Sequence, residues 1–501
     1  MPGPEKPIFE TGRKVDVSIA TAPATAPATV KERKPLFAQD NSIIPACDVE
    51  DIPALEALVD ATADMEGIGG YKLGMTVFFE EGLKKAVEVV KSRTDKPVII
   101  DYQKAGNDIP EMGAKFARSL KKAGADAAIL FPFAGPATQE AWTTALQEEG
   151  LGVLVGAHMT HKNFLRSEGG YIANDTPRRA FELAVEMGVT DFVVPGNKPK
   201  YVDKYRRLFT KLLGEDGFTM SAPGFVDQGG DVSVTGKVAG KRWNAIVGGG
   251  IYKAKNMREA AQGLVDKIKR KEVFDPEEAD RIVAEMNQQE KEGRQAKAEE
   301  ILDRTGAVLD GHFVLRSGKH SDTYINKDFV YLHTQETEAL CDMMADAFVE
   351  DDVDVVVGPA LGGIVLSNNV ARLLTEKTGK DVIAAFAEKD TDDNLVFTRG
   401  YDQFIPGKKV LVVEDILTSG GSAKKAIDLT ESTGGEVVGL SVIANRNPKE
   451  VTSEALGVRR LEAMIEIDKT PKTWLPKDCP KCEAGIPVDN KVGAAKKLSQ
   501  I

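Results

Sequence analysis

Residues 410–422 read Val-Leu-Val-Val-Glu-Asp-Ile-Leu-Thr-Ser-Gly-Gly-Ser, and this stretch decides the fold of the second half of the chain. Four apolar residues suit a strand buried on both faces of a parallel sheet. Two carboxylates, Glu414 and Asp415, follow at its end, and a small-residue loop opens a helix that begins near Ala423. Backbone N–H groups of Thr418, Ser419, Gly420, Gly421 and Ser422, uncrowded by large side chains, can wrap a phosphate at the helix N-terminus. The carboxylates can accept from ribose hydroxyls, so the order describes a phosphosugar site. Around it, apolar strands near 353–357, 382–387 and 437–443 alternate with helical stretches near 335–350, 363–376 and 420–433. That pattern predicts a doubly wound α/β domain with the motif after one of its strands.

Working upstream, eight short apolar runs precede residue 250, near 43–47, 68–74, 97–101, 125–132, 151–157, 190–195, 218–222 and 244–248. Helix-period segments at 51–64, 76–92, 109–123, 136–149 and 175–188 lie between them. Eight such units predict a (β/α)8 TIM barrel, whose chemistry sits at the C-terminal strand ends. A second doubly wound sheet would produce a similar alternation. Between Pro276 and Ile301, Glu, Lys, Gln, Arg and Ala dominate, which favours an exposed helix joining two domains. The expected division is a flexible Pro-Ala-Thr-rich tail at 1–35, a barrel at 36–275, a charged helical linker at 276–300, an α/β domain at 301–487 and a tail at 488–501.

At 501 residues the chain exceeds what one core usually supports, and with 42% hydrophobic and 28% charged residues its composition is that of a globular protein. A net charge of −12 and a pI near 5.2 argue against a nucleic-acid or anionic-membrane surface. Four cysteines make no disulfide framework, and no stretch is apolar enough to span a bilayer, so the expectation is reducing cytoplasm.

Five charged residues fall at predicted barrel strand ends: Asp48, Lys72, and Asp101, Lys104 and Asp108 in Asp-Tyr-Gln-Lys-Ala-Gly-Asn-Asp. Alternating acid and base in one mouth is a candidate catalytic constellation. With these residues in this order, the region 40–270 resembles the orotidine 5′-monophosphate decarboxylase family. The resemblance implies that Asp48 and Lys72 bind substrate and that Asp101, Lys104 and Asp108 carry the chemistry. It also implies that Thr160, in His-Met-Thr-His, meets the pyrimidine. Pro195 lies in a loop after the sixth strand, and Gln228, Gly230, Gly248 and Gly249 belong to a phosphate grip. Two departures stand out. The family usually places one residue between its first Asp and the Lys and two between the Lys and second Asp; here the gaps are two (Tyr102, Gln103) and three. Side chains three apart on a regular strand face opposite ways, so Asp101 and Lys104 converge only if the strand has ended or bulged by Gln103. Where many relatives carry a phosphate-binding Arg, this chain has Gly249, leaving the grip to backbone N–H groups, Gln228 and a cation such as Lys198.

The 410–422 motif resembles the PRPP-binding motif of type I phosphoribosyltransferases, and the region 300–487 resembles the orotate phosphoribosyltransferase family. Gly306-Ala307-Val308 and His312-Phe-Val-Leu-Arg-Ser-Gly318 resemble its N-terminal hood, followed by Tyr324-Ile325-Asn326, where an aromatic is more usual than Ile325. Gly358-Pro-Ala-Leu-Gly362-Gly363 resembles the pyrophosphate loop. Arg446, with Arg316 and Thr418, is the implied orotate contact. Many relatives cover the site with a long Lys-bearing loop; here the chain runs from Ala387 to Phe397 within a dozen residues, with Lys389 and Arg399 as candidate substitutes. Cys479-Pro-Lys-Cys482 has the spacing of half a zinc site, but no second pair follows and the five histidines are distant in sequence, so surface thiols are expected. His158 and His161 read as loop hydrogen-bonding groups.

Together the resemblances imply two consecutive steps of pyrimidine biosynthesis, joining orotate to PRPP and decarboxylating the product to UMP. They imply Mg2+ for the transferase, no cofactor for the decarboxylase, small-molecule substrates, and a homodimer or larger homo-oligomer. Two alternatives stay open on the residues: a metal-dependent hexulose-phosphate synthase or keto-gulonate-phosphate decarboxylase barrel, and a C-terminal domain that only senses PRPP.

Overall fold

Strand pairing at the two ends of the first sheet settles its architecture. In the computed structural model, which describes residues 35–102, 105–269, 274–315, 318–467 and 473–489, the first strand pairs in parallel with the eighth, Asn41 opposite Trp243 through Pro45 opposite Val247. The eight strands are β1 (Asn41–Cys47), β2 (Tyr71–Gly74), β3 (Val98–Asp101), β4 (Ala127–Leu130), β5 (Gly152–Gly156), β6 (Asp191–Val193), β7 (Thr219–Ala222) and β8 (Trp243–Val247). They form a closed barrel in sequence order, so the first region is a (β/α)8 barrel and not a doubly wound sheet. A buried hydrogen bond marks the seam, where Ser42 Oγ donates to Asn244 Oδ1 at 2.5 Å between residues paired in register. Such a bond contributes about 1 kcal/mol net, and leaving either group unpaired there would cost more.

Helices follow the strands because each carries one apolar face. In the helix Met112–Ala123, Ala117, Leu120 and Ala123 turn inward, Lys121 and Lys122 occupy the last turn, and left-handed Gly124 ends it. The single helix expected over 76–92 is two, Met75–Glu81 and Leu83–Lys91, because Gly82 adopts φ +88° between them. β3 stops at Asp101, the strand ending that the unusual acid–lysine spacing requires.

The charged segment forms a helix from Pro276 to Arg304, capped by Asp275, whose side chain accepts from Glu277 N–H at 2.9 Å. At about 1.5 Å per residue, its 29 residues span about 43 Å. It is not simply an exposed joint. Ala279 enters the barrel's core, while Ala298, Ile301 and Leu302 enter the core of the following region. Lys200 pairs with Glu290 at 2.6 Å on the barrel side, and Lys291 with Glu466 at 2.6 Å on the other.

The second region has a hairpin of β9 (Val308–Val314) and β10 (His320–Ile325), then β11 (Val355–Pro359), β12 (Ile383–Lys389), β13 (Leu395–Val396), β14 (Lys409–Leu417), β15 (Glu436–Asn445), β16 (Leu461–Glu466) and β17 (Thr473–Trp474). Six form one sheet in the order β13-β12-β11-β14-β15-β16, parallel except for β13, and β17-β10-β9 form a separate antiparallel sheet. Helices Thr334–Asp346, Gly362–Thr378 and Gly421–Ser432 cover the large sheet. β16 escapes a pattern reading because Leu-Glu-Ala-Met-Ile-Glu is rich in helix formers; pairing with β15 overrides that preference. Among the described residues, no helix is long and apolar enough to cross a membrane. Residues 1–34 and 490–501, most of both expected tails, lie outside the described residues.

Candidate active sites

At the C-terminal ends of the barrel strands opens a cavity of about 310 Å³. Asp48 follows β1, Lys72 lies in β2 and Asp101 closes β3, so three adjacent strands deliver acid, base and acid to one wall. The Lys72 ammonium lies 3.2 Å from Asp48 and 2.7 Å from Asp101. Burial alone would lower its pKa, but Asp101 and then Asp48 outweigh burial and hold it above the ordinary lysine value. The arrangement depends on Gly74, because a Cβ there would come within 1.9 Å of Asp48 Oδ1.

Thr160, Gln228, Gly248 and Gly249 line the same cavity, with Phe131, Phe225, Asp227 and Tyr252, which the sequence reading had not singled out. Pro195 and Gly230 do not line it. Pro195 accepts from Lys198 N–H at 2.9 Å, and Gly230 N–H donates to the carbonyl of Gly224 at 3.1 Å. Asp108 Oδ1 accepts from Ile109 N–H at 2.8 Å. Lys104 and Gln103 lie outside the described residues.

Lys198 is not the cation beside the glycine loop. It donates to Glu168 at 2.6 Å and meets His158 Nε2 at 3.0 Å, while His158 Nδ1 meets the Tyr205 hydroxyl at 2.8 Å. Burial would raise Glu168, but hydrogen bonds from His158 and Lys198 bring it down to about 2, and burial pushes His158 down toward the neutral ring. The cation that stands by the glycines is Lys253, whose ammonium is 2.9 Å from Asp227 and would lie 2.9 Å from a Cβ on Gly249. Its signal was its place three residues after the Gly-Gly-Gly run.

The second cavity, about 720 Å³, lies over the C-terminal edge of the large sheet. Glu414, Asp415, Thr418, Ser419, Gly421, Ser422, Gly362, Lys389 and Arg446 line it, as do Tyr324, Lys327 and Lys425. Gly420 and Gly363 do not; they shape the backbone. Gly420 adopts φ +74° at the start of the helix Gly421–Ser432, and its carbonyl accepts from Lys424 N–H at 2.8 Å. Arg316 is outside the described residues.

Glu414 and Asp415 are both buried, and Lys327 pairs with Asp415. Burial and the charge of Asp415 push Glu414 up to about 8. A Cβ on Gly362 would come within 1.9 Å of Asp415 Oδ2, so this glycine keeps the turn after β11 close to the acids. Arg446 follows β15, half-buried, and its buried Nε has no hydrogen-bond partner among the described residues. Burial depresses its pKa, and a carboxylate arriving in the cavity would meet an underpartnered cation.

The short covering segment is a tight hairpin, with Glu388 and Lys389 of β12 opposite Val396 and Leu395 of β13. Asp390 ties its turn by accepting from the backbone of Asp392 at 2.9 Å and Asn394 at 2.8 Å. Lys389 pairs with Asp393 at the cavity edge. Arg399 turns away to Glu388, 3.4 Å distant, so of the two candidate substitutes only Lys389 reaches this wall.

Residues 41–264 match the family described as orotidine 5′-phosphate decarboxylase / HUMPS, and residues 331–469 match the phosphoribosyl transferase domain. An orotate phosphoribosyltransferase from Desulforamulus reducens is 41% identical over 192 residues, which is 38% of this chain and 93% of that protein. The second half of the chain belongs to the orotate phosphoribosyltransferase family. It is fused to a barrel that matches the orotidine 5′-phosphate decarboxylase / HUMPS model. A second transferase, from Pelotomaculum thermopropionicum, is 40% identical over 187 residues, 37% of this chain and 91% of its own. The chain is also similar to the structure of Leishmania donovani UMP synthase, at 18% identity and a TM-score of 0.38, covering 92% of this chain and 96% of that one.

Proposed function

We propose that the transferase joins orotate to PRPP, releasing pyrophosphate, and that the barrel decarboxylates the resulting orotidine 5′-phosphate to UMP. The observation that carries this reading is the fusion itself: an orotate phosphoribosyltransferase makes the compound that an orotidine-phosphate decarboxylase consumes. The same pairing favours decarboxylation over the hexulose-phosphate chemistry and transfer over a purely sensing role.

In the transferase, the 5′-phosphate of PRPP sits on the backbone N–H groups of 418–422, including Gly420, and its diphosphate lies by Gly362 and Gly363. Glu414 and Asp415 accept from the ribose hydroxyls. Arg446, with Arg316 and Thr418, holds orotate so that a ring nitrogen faces C1′. As the C1′–oxygen bond to pyrophosphate breaks, the new C1′–nitrogen bond forms, and the ring nitrogen's proton leaves to the departing pyrophosphate or to water. The protein positions the partners and handles anions, and needs no nucleophile. Two acids beside a diphosphate subsite fit Mg2+; when bound, it neutralises phosphate charge and orients the diphosphate. Lys389 and Lys425 are the cations at the rim.

In the barrel, loss of CO2 from C6 leaves an electron pair with no adjacent carbonyl to delocalise it. Stabilisation is electrostatic, and no cofactor is required. Lys104 sets its ammonium beside C6, offsets the charge and delivers the proton. Asp101 and Asp108 hold that ammonium, Asp48 and Lys72 bind the ribose, and Thr160 meets the pyrimidine. The phosphate rests on Gly248, Gly249 and Gln228, with Gly230 and Pro195 shaping the loops and Lys253 supplying the cation in place of Lys198. Binding energy from this remote group supports the chemical step.

The four cysteines are unpaired, which suits reducing cytoplasm. The reading includes a homodimer or larger homo-oligomer, which light scattering tests. Purified protein given orotate, PRPP and Mg2+ should release pyrophosphate and CO2 and accumulate UMP. Failure to form UMP beside active control enzymes would overturn the assignment, and accumulation of orotidine 5′-phosphate would localise the fault to the barrel.

A further inference from the structure

Of the two cysteines expected at the surface, only Cys482 is exposed. Cys479 is buried, and both it and Cys482 face two histidines that are far away in sequence. His312 lies in β9 and His320 in β10, and because His320 pairs with Val314, the two histidines share a face of the hairpin. β17 adds beside β10, with Trp474 opposite His320, and the chain then turns the Cys-Pro-Lys-Cys segment back over that face.

The four ligand atoms, one from each residue, lie within 4.8 Å of one another. His312 Nε2 is 2.8 Å from His320 Nδ1, 3.5 Å from Cys479 Sγ and 3.6 Å from Cys482 Sγ, and Cys482 Sγ is 3.3 Å from His320 Nδ1. A tetrahedral zinc ion with bonds of about 2.0 Å to nitrogen and about 2.3 Å to sulfur would place its ligands about 3.3 to 3.8 Å apart. Three of the four distances fall in that range, and the nitrogen pair needs to open by about 0.5 Å.

An outer partner is also in place. His312 Nδ1 lies 2.7 Å from the carbonyl of Ile486, so this nitrogen carries the proton and Nε2 presents its lone pair to the cluster. We infer that His312, His320, Cys479 and Cys482 bind one structural zinc ion. Each thiol gives up its proton on binding, and two thiolates cancel the charge of Zn2+, so a neutral complex sits in a largely buried site. With all four positions taken by protein, zinc has no open coordination site for catalysis, and its role is to clasp the C-terminal segment to the hairpin. The backbone supports that clasp, since Asp489 N–H donates to the His312 carbonyl at 2.8 Å. β10 runs directly into Tyr324–Lys327 at the transferase cavity, so the clasp steadies one wall of that site.

The test is metal analysis of the full chain, purified reduced from zinc-supplemented medium without chelator, beside Cys479→Ser, Cys482→Ser and His320→Gln. The wild-type chain should carry about one zinc and each variant less than about 0.2, with unchanged decarboxylation reporting an intact barrel. Cobalt added to metal-stripped wild-type protein should give the visible bands and thiolate charge-transfer absorption of a tetrahedral site, absent from the variants. Wild-type protein without zinc or a cobalt spectrum, a Cys479–Cys482 disulfide in the intact mass, or variants that retain zinc would each overturn the assignment. The metal count does not depend on either enzymatic activity.

Discussion

Among the described residues, the buried ammonium of Lys72 in the barrel mouth lies between carboxylates from two other strand ends, whereas in the transferase cavity two consecutive carboxylates meet the ammonium of Lys327, which pairs with only one of them. Asp48 and Asp101 come from neighbours on either side of β2, so one cation serves both. Glu414 and Asp415 are adjacent along one strand, and Glu414 is left to burial and its neighbour's charge. The barrel supplies its own counter-charge, while in the transferase Glu414 has no ion-pair partner among the described residues and feels Lys327 only at a distance. That difference is in keeping with the proposed pairing of a cofactor-free decarboxylation with a transfer that takes a divalent cation.

Lys104→Ala should break the comparison most severely on the barrel side. Decarboxylation should fall by at least about 10³-fold with orotate transfer unchanged, because both charge offset and proton delivery are lost. Single-turnover assays on orotidine 5′-phosphate would expose substantial residual activity, which would remove Lys104 from its role. Lys72→Ala leaves two acids facing each other; kcat/KM should fall about 100-fold and stability by about 2 kcal/mol, discounted for the partial exposure of Asp48. Urea titration beside steady-state kinetics checks both, and Lys72→Arg should restore stability better than turnover.

Arg446→Ala should raise the KM for orotate about 30-fold, the loss of one charge-assisted contact, while PRPP binding in calorimetry stays the same. The smallest effect concerns Glu414. Its acid form is favoured in the folded protein, so its contribution to stability declines as pH rises from the ordinary carboxyl range through about 8. Ribose hydroxyls need the carboxylate, so PRPP affinity moves the opposite way and should rise about tenfold from about pH 7 to about pH 9. Glu414→Gln, measured across the same range, should flatten that rise; an unchanged slope would assign it to another group.

Much of this was legible in the residues. Eight apolar runs located eight strands, and Val-Leu-Val-Val-Glu-Asp located both a strand and its acids, since buried parallel strands and small-residue phosphate loops leave local signatures. The eight units predicted a barrel but did not by themselves exclude a doubly wound sheet, because closure is a pairing between strands some two hundred residues apart, Asn41 with Trp243. The same limit concealed the partners of Cys482, since His320 lies 162 residues away and is brought over only by β17. Lys327 and Lys253 were missed for a different reason. A lone lysine carries no motif, and only the folded loops put these two beside Asp415 and Asp227. Lys198 shows the converse: it sits in the right loop, but Glu168 and His158 claim it.

The contrast between the two cavities is tested most directly by assaying each half-reaction in magnesium-free buffer and again after Mg2+ is restored. Formation of orotidine 5′-phosphate from orotate and PRPP should stop without Mg2+ and resume on its return, while conversion of orotidine 5′-phosphate to UMP continues at the same rate throughout. Decarboxylation that fails with the metal, or transfer that proceeds without it, would contradict the account.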